Sequence, residues 1–307
     1  IVGVVSKANK NKQLYFSDGN NEIPTMEHVN PFRDIPCHKD IYYFYYVATK
    51  AGIIQQDDRS GILCAMLLKW IRDGYVNFTM EPSTGWFKKD KYEIDFSGEI
   101  PTENILEEKM LGYFREASGD NQILENKEFE RWCKRNYEEI EDWFNDLIEF
   151  EEKELKEKGL MKKQTTYKKF LGIDIANEKV VYEPSFRDDI IYTKGLKRFL
   201  LDFSSIEEKE VIEVKLWEEY LMFASILGIA DEVEKQIGKL CPEFNQYSNI
   251  DYTYTMLATR TFMYGGVRSA ANAYSAAHSS SYSGGGGFSS FGGGGGGFSG
   301  GGGGGSR

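Results

Sequence analysis

The chain has 307 residues and a net charge of −11. That balance disfavours free DNA or RNA as a partner, because phosphate binding needs a basic surface. The four cysteines, Cys37, Cys64, Cys133 and Cys241, are too far apart in sequence for a zinc knuckle or a redox pair, and there are only three histidines. Reduced thiols are therefore expected, with no structural metal, no cofactor and no metal-binding residues.

The chain opens on Ile1-Val2-Gly3-Val4-Val5, which reads as the end of an apolar segment continuing from upstream. Residues 1–37 read as a linker after a membrane segment, polar at first and then kept extended by Pro24, Pro31 and Pro36. His28 and His38 are expected as surface side chains, since neither has a companion ligand or acid at useful spacing.

Residues 38–101 read as a winged-helix-like unit. A first helix is expected over 38–51, capped by Asp40 and stopped by Gly52. Its Tyr42, Tyr43, Tyr45 and Tyr46 could offer a stacking surface, but the spacing of Ile41, Phe44, Tyr45 and Ala48 favours a packed face. A second helix over 60–72 carries Ile62, Leu63, Met66, Leu67, Trp70 and Ile71 as a core stripe. Strands over 75–80 and 86–96 then make a hairpin around Pro82–Gly85. Lys88, Lys89 and Lys91 on this wing form its best positive cluster, beside Lys69 and Arg72 on the second helix.

Residues 102–165 read as a second helical unit, again loosely winged-helix-like. Thr102 is the expected cap of its first helix, Asn126 caps one holding Phe129, Trp132 and Cys133, and an acidic helix spans 136–158. Residues 166–192 read as a linker or the site of a missing membrane hairpin, with Pro184 and Asp188-Asp189 breaking any long element. The basic run Lys162–Lys169 before it suits a wet linker or phospholipid headgroups.

Residues 193–265 read as a helical domain. A short helix starts at Thr193 and the most strongly helical apolar run covers 214–227, closed by Gly228. The uncharged run Tyr220–Ala230 is 11 residues long, short of the ~20 that span a bilayer. Trp217 and Leu221 should be buried against 196–203 and 233–237. Were Trp217 exposed, that face would be a docking surface. Residues 266–307 read as a disordered tail; half of the 32 glycines lie between Gly284 and Gly305, punctuated by Phe288, Phe291 and Phe298. The fold class is thus mainly α with short β hairpins, an α+β chain.

Thr193-Lys194-Gly195-Leu196-Lys197-Arg198-Phe199-Leu200-Leu201-Asp202-Phe203-Ser204, then Leu216-Trp217-Glu218-Glu219-Tyr220-Leu221, then Leu227-Gly228-Ile229-Ala230-Asp231 and the glycine-rich end, together resemble the YciQ-like family of predicted bacterial membrane proteins. Leu67–Tyr75 is similar to that family's small helical unit after the membrane segment. The resemblance implies a plan of extracytoplasmic β-rich domain, membrane segment, cytoplasmic helical parts, usually a further membrane hairpin, and a glycine-rich tail. It implies that this chain is the cytoplasmic part, and it carries over no catalytic residues.

The expected function is that of a non-catalytic cytoplasmic region of a membrane protein, mediating protein–protein interaction or assembly. Its interaction candidates are Trp217, Tyr220, Leu221, Lys88, Lys89 and Lys91; the protein partner is unknown, and membrane attachment lies outside this chain. The alternatives are a membrane-tethered nucleic-acid-binding regulator, which needs a basic face on helix 60–72 and the wing, and a hydrolase, which needs a polar cleft joining residues such as His28, His38 and Cys64.

Overall fold

The computed structural model describes residues 13–54, 59–81, 91–125, 127–170, 173–202, 214–240 and 252–279. Residues 82–90 with the expected wing lysines Lys88 and Lys89, Asn126, Cys241 and the glycine-rich stretch 284–305 lie outside the described residues. The helices are α1 (Ile41–Lys50), α2 (Gly61–Arg72), α3 (Ile105–Ser118), α4 (Glu128–Arg135), α5 (Tyr137–Glu157), α6 (Pro184–Leu201), α7 (Val214–Ile226), α8 (Ala230–Leu240) and α9 (Tyr252–Ser279). The strands are β1 (Tyr15–Phe16), β2 (Asn77–Glu81), β3 (Lys91–Asp95), β4 (Ile123–Glu125), β5 (Met161–Phe170) and β6 (Ile173–Tyr182). The α+β class is as the sequence pattern predicts.

The first two helices form where expected. The Asp40 carboxylate accepts from the backbone N–H groups of Tyr42 and Tyr43 and so caps α1. Tyr42, Tyr45 and Tyr46 are buried, which makes the tyrosine run a packed face. Nearly every residue of α2 is buried, beyond its predicted stripe, because the helix is covered on several sides by α1, α7 and α9. The helix over 105–118 is capped by Asn104, whose side-chain oxygen accepts from Leu106 and Glu107, and not by Thr102. Asn104 reaches the N–H groups two and three residues on, as a cap must.

Two small sheets flank the helices. In the first, β3 pairs antiparallel with both β2 and β4, with Ile94 opposite Phe78 and Leu124. This sheet crosses the expected boundary between residues 101 and 102. Behind it, rings from distant elements meet: Phe96 stacks on Phe114 at 5.0 Å, Phe114 lies 5.1 Å from Phe129, and Phe129 stacks on Phe262 at 5.7 Å. Stacked and tilted aromatic contacts of this kind add to the burial of their area.

Three expected segments are corrected. Residues 13–37 are not a free linker: β1 pairs in parallel with β6, and Phe16, Val29 and Ile35 are buried. Residues 166–192 are not a linker in their described part. There β5 and β6 form an antiparallel ribbon from Met161 opposite Tyr182 to Phe170 opposite Ile173, and α6 follows directly. Pro184 starts that helix, since a first-turn proline lacks only an N–H that has no intrahelical partner, and Asp188-Asp189 lie within it. Thr193 is therefore a buried mid-helix residue and not a helix start. Finally, α9 runs past the expected tail boundary at 265 to Ser279 and buries Val267 and Ala270.

Candidate functional site

A cleft of about 330 Å³ opens where the start of α1, the end of α2, the residues before α3 and the middle of α7 meet. His38, Lys39, Tyr42, Lys69, Arg72 and Glu219 are among its lining residues. Most of its charged groups are held by neighbouring residues, while the His38 ring is exposed. Lys39 reaches Glu219 on α7 at 2.7 Å. Lys69 bridges Glu103 at 2.6 Å and Glu107 at 3.0 Å. Glu107 is fully buried, and the Tyr42 hydroxyl and the Glu103 N–H also donate to its carboxylate, at 2.9 and 2.8 Å. Three donors offset the loss of water that burial imposes on this charge.

One wall of the cleft is strained. Cys37, His38 and Lys39 have φ of 57°, 55° and 61°, three successive non-glycine residues in the left-handed region. Each such residue costs on the order of 1–3 kcal/mol and persists only where its surroundings enforce it. Here the enforcement is local. The Lys39 N–H donates to Pro36 O at 3.1 Å, the Asp40 N–H donates to Cys37 O at 3.0 Å, and Asp40 is itself committed to capping α1. The Cys37 thiol is buried 4.0 Å from the Thr193 hydroxyl.

Below the turn lies a second polar group. The Tyr43 hydroxyl donates to Asp189 at 2.7 Å. Burial raises the Asp189 carboxyl above the usual range, against the pull of that hydrogen bond. Glu151 on α5 is 4% exposed, and burial, followed by the nearby Asp40 charge, pushes its carboxyl from 4.5 up to about 8. Burial also raises the thiols of Cys37, Cys64 and Cys133, so they stay protonated and weakly nucleophilic at neutral pH.

The sequence candidates distribute as follows. Trp217, Tyr220 and Leu221 are 4%, 1% and 0% exposed, so they build the core and are not a free docking face. The Tyr220 hydroxyl donates to Arg33 O at 2.9 Å and its ring meets Phe199 at 5.7 Å. Lys91 pairs with Glu93 at 2.5 Å and Glu125 at 3.2 Å, which covers its charge with acids. Arg72 bonds Asp73 at 2.8 Å, so the basic residues of α2, with Lys69, are likewise matched to carboxylates. Of the residues a hydrolase would join, His28 and His38 are exposed while Cys64 is fully buried. Among the described residues, no group of three His, Cys, Asp or Glu could hold a metal ion, and no helix is long and apolar enough to cross a membrane.

The basic residues of α6 have a structural use. Lys194 donates to Pro24 O at 2.6 Å, Lys197 to Ile53 O and Leu227 O at 3.1 and 3.2 Å, and Arg198 to Glu27 O and Val29 O at 2.9 and 2.6 Å. Gly195 lets the N-terminal segment approach: a Cβ there would lie 2.7 Å from Phe32 Cβ and 2.8 Å from Asn30 O. This stretch is also where a known family matches. Residues 190–237 match the family described as predicted membrane protein (DUF2207), C-terminal domain. The match points to an uncharacterised family of predicted membrane proteins. The matched stretch covers most of α6, all of α7 and much of α8, and through Glu219, Met222 and Phe223 it supplies one side of the cleft. No curated protein and no solved structure matches the chain.

Glu107 and Glu151 were not singled out from the sequence. Both carried a signal. Glu107 stands in register with Met110 and Phe114, and Glu151 with Leu147 and Leu155, so each is an acid on an apolar stripe. Cys37–Lys39 carried no such mark, since nothing in Pro-Cys-His-Lys-Asp announces a left-handed turn.

Proposed function

We propose that this chain is a non-catalytic part of a membrane protein, lying on the cytoplasmic side, and that its cleft is a protein contact surface used in assembly. The observation that carries this reading is the composition of the cleft. The matched stretch joins it to the N-terminal helices through Lys39–Glu219, and Asp40, Lys69, Arg72 and Glu103 are held in ion pairs or as a helix cap. Such an arrangement fixes surface shape and charge pattern, whereas a general acid or base needs a group poised to exchange protons with a ligand. The strained turn at His38–Lys39 adds a wall that is rigidly presented, which lowers the ordering cost of association.

The test is crosslinking and co-purification of the intact protein from native membranes, with and without Lys39→Glu. The expected result is a protein partner recovered with the wild type and lost with the variant, while the variant keeps its helical circular dichroism and melting midpoint. Recovery of no protein partner, or equal recovery with a folded Lys39→Glu protein, overturns the reading.

A further inference from the structure

The ribbon of β5 and β6 has no role in the cleft. Its base is anchored: Met161 and Tyr182 are buried, the Tyr46 hydroxyl lies 2.9 Å from that of Tyr182, and Tyr182 stacks on Phe186 at 4.2 Å. Beyond the base it leaves the body. Lys162, Lys163, Gln164, Thr165 and Tyr167 are all exposed, although alternate residues of a strand face opposite sides. The strand order is β1-β6-β5, so among the described strands one edge of β5 is unpaired. Ten residues of strand reach roughly 33 Å.

The ribbon's charge opposes that of the chain. Between Met161 and Tyr182 there are five lysines, at 162, 163, 168, 169 and 179, against Asp174 and Glu178, in a chain of net charge −11. Lys162 and Lys163 are adjacent on β5, so the two occupy both sides of the strand. A peptide laid against one face would meet one of them. A layer of anionic groups that surrounds the ribbon would meet both. Tyr167 is 71% exposed further along the strand, and a tyrosine with an apolar ring and a polar tip suits the headgroup region of a bilayer.

We infer that the β5–β6 ribbon is a membrane-surface contact that inserts among anionic phospholipid headgroups, with Lys162, Lys163 and Tyr167 as its contact residues. The inference is independent of the cleft. It gives a chain whose matched family is one of predicted membrane proteins a second hold on the bilayer, through a part whose charge complements the lipid while the acidic body is held off.

The full chain is tested by flotation with vesicles of phosphatidylcholine alone and of phosphatidylcholine with phosphatidylserine. Binding is expected with the anionic vesicles only, and should fall with added salt. Lys162→Glu with Lys163→Glu should weaken it by about tenfold or more. Tyr167→Trp should give an indole emission that shifts to the blue on those vesicles. All three substitutions are at exposed positions, and unchanged melting verifies folding. Absence of binding to anionic vesicles, equal binding by the folded double variant, or an unshifted Trp emission overturns the inference. Binding of a polyglutamate peptide by a protein that ignores the vesicles also overturns it, and assigns the β5 edge to an acidic polypeptide.

Discussion

Gly266 of α9 lies face to face with the ring of Phe129 on α4: a Cβ at Gly266 would stand 2.4 Å from two ring carbons and 3.2 Å from the Cys133 sulfur. The ring has no room to yield, because Phe114 and Phe262 flank it. The missing methyl is what lets α9 close onto α4.

Gly266→Ala is therefore expected to destabilise by about 1–3 kcal/mol through overpacking, despite the better helix propensity of alanine. Gly112, exposed on α3 with nothing near its Cβ position, is the control. Gly112→Ala should stabilise by about 0.5–1 kcal/mol. Urea unfolding of the two variants should move the midpoint in opposite directions.

Glu107 should behave as a buried ion whose partners depend on it. Glu107→Ala strands the Tyr42 hydroxyl and the Glu103 N–H and leaves Lys69 with Glu103 as its carboxylate partner, and should cost about 3 kcal/mol. Tyr42→Phe removes a single neutral donor and should cost about 1 kcal/mol. A loss for Glu107→Ala no larger than that for Tyr42→Phe would refute the network's importance.

Glu151 sets a pH dependence. Its carboxyl is raised in the folded chain from 4.5 to about 8. The unfolded chain therefore loses this proton first as pH rises. The stability tied to protonated Glu151 is fully present below about pH 4.5 and is lost progressively up to about pH 8. Glu151→Gln keeps the neutral shape and should flatten this limb, being more stable than the wild type at pH 8 relative to its standing at pH 5. Thermal melts across that window measure it.

A chain ending at Gly265 should be markedly less stable than one ending at Ser279. The residues between them bury Val267 and Ala270 and set Tyr274 against Tyr137 at 6.1 Å. Equal melting midpoints would contradict the packing of this half of α9.

What could be read in the sequence follows from the range over which each signal acts. Several local signals held, though not the Thr102 cap or the Thr193 helix start: Asp40 caps α1, the apolar run of 214–227 becomes buried α7, and Gly228 ends it with a φ of +72°. Signals that depend on distant partners did not. Residues 162–169 look like a wet basic stretch because the strand that completes them comes later in the chain, and apart from Tyr167 the run is all polar, so no period-two pattern shows. Ala- and Ser-rich residues after Val267 look like a tail because small side chains pack a close helix pair yet score as weakly apolar. The cleft was invisible for a similar reason, since its acids and bases pair across 38 and 180 residues of chain.

The order in which the chain is made gives α9 a further consequence. It packs on α2, α4 and α5, all of which end by Glu157, yet it begins only at Tyr252. A ribosome adding roughly 5–20 residues per second would leave those three faces uncovered for on the order of ten seconds. Every newly made copy thus passes through a stage with an open apolar groove, which is where nascent-chain chaperones or a neighbouring unfinished copy would first find it.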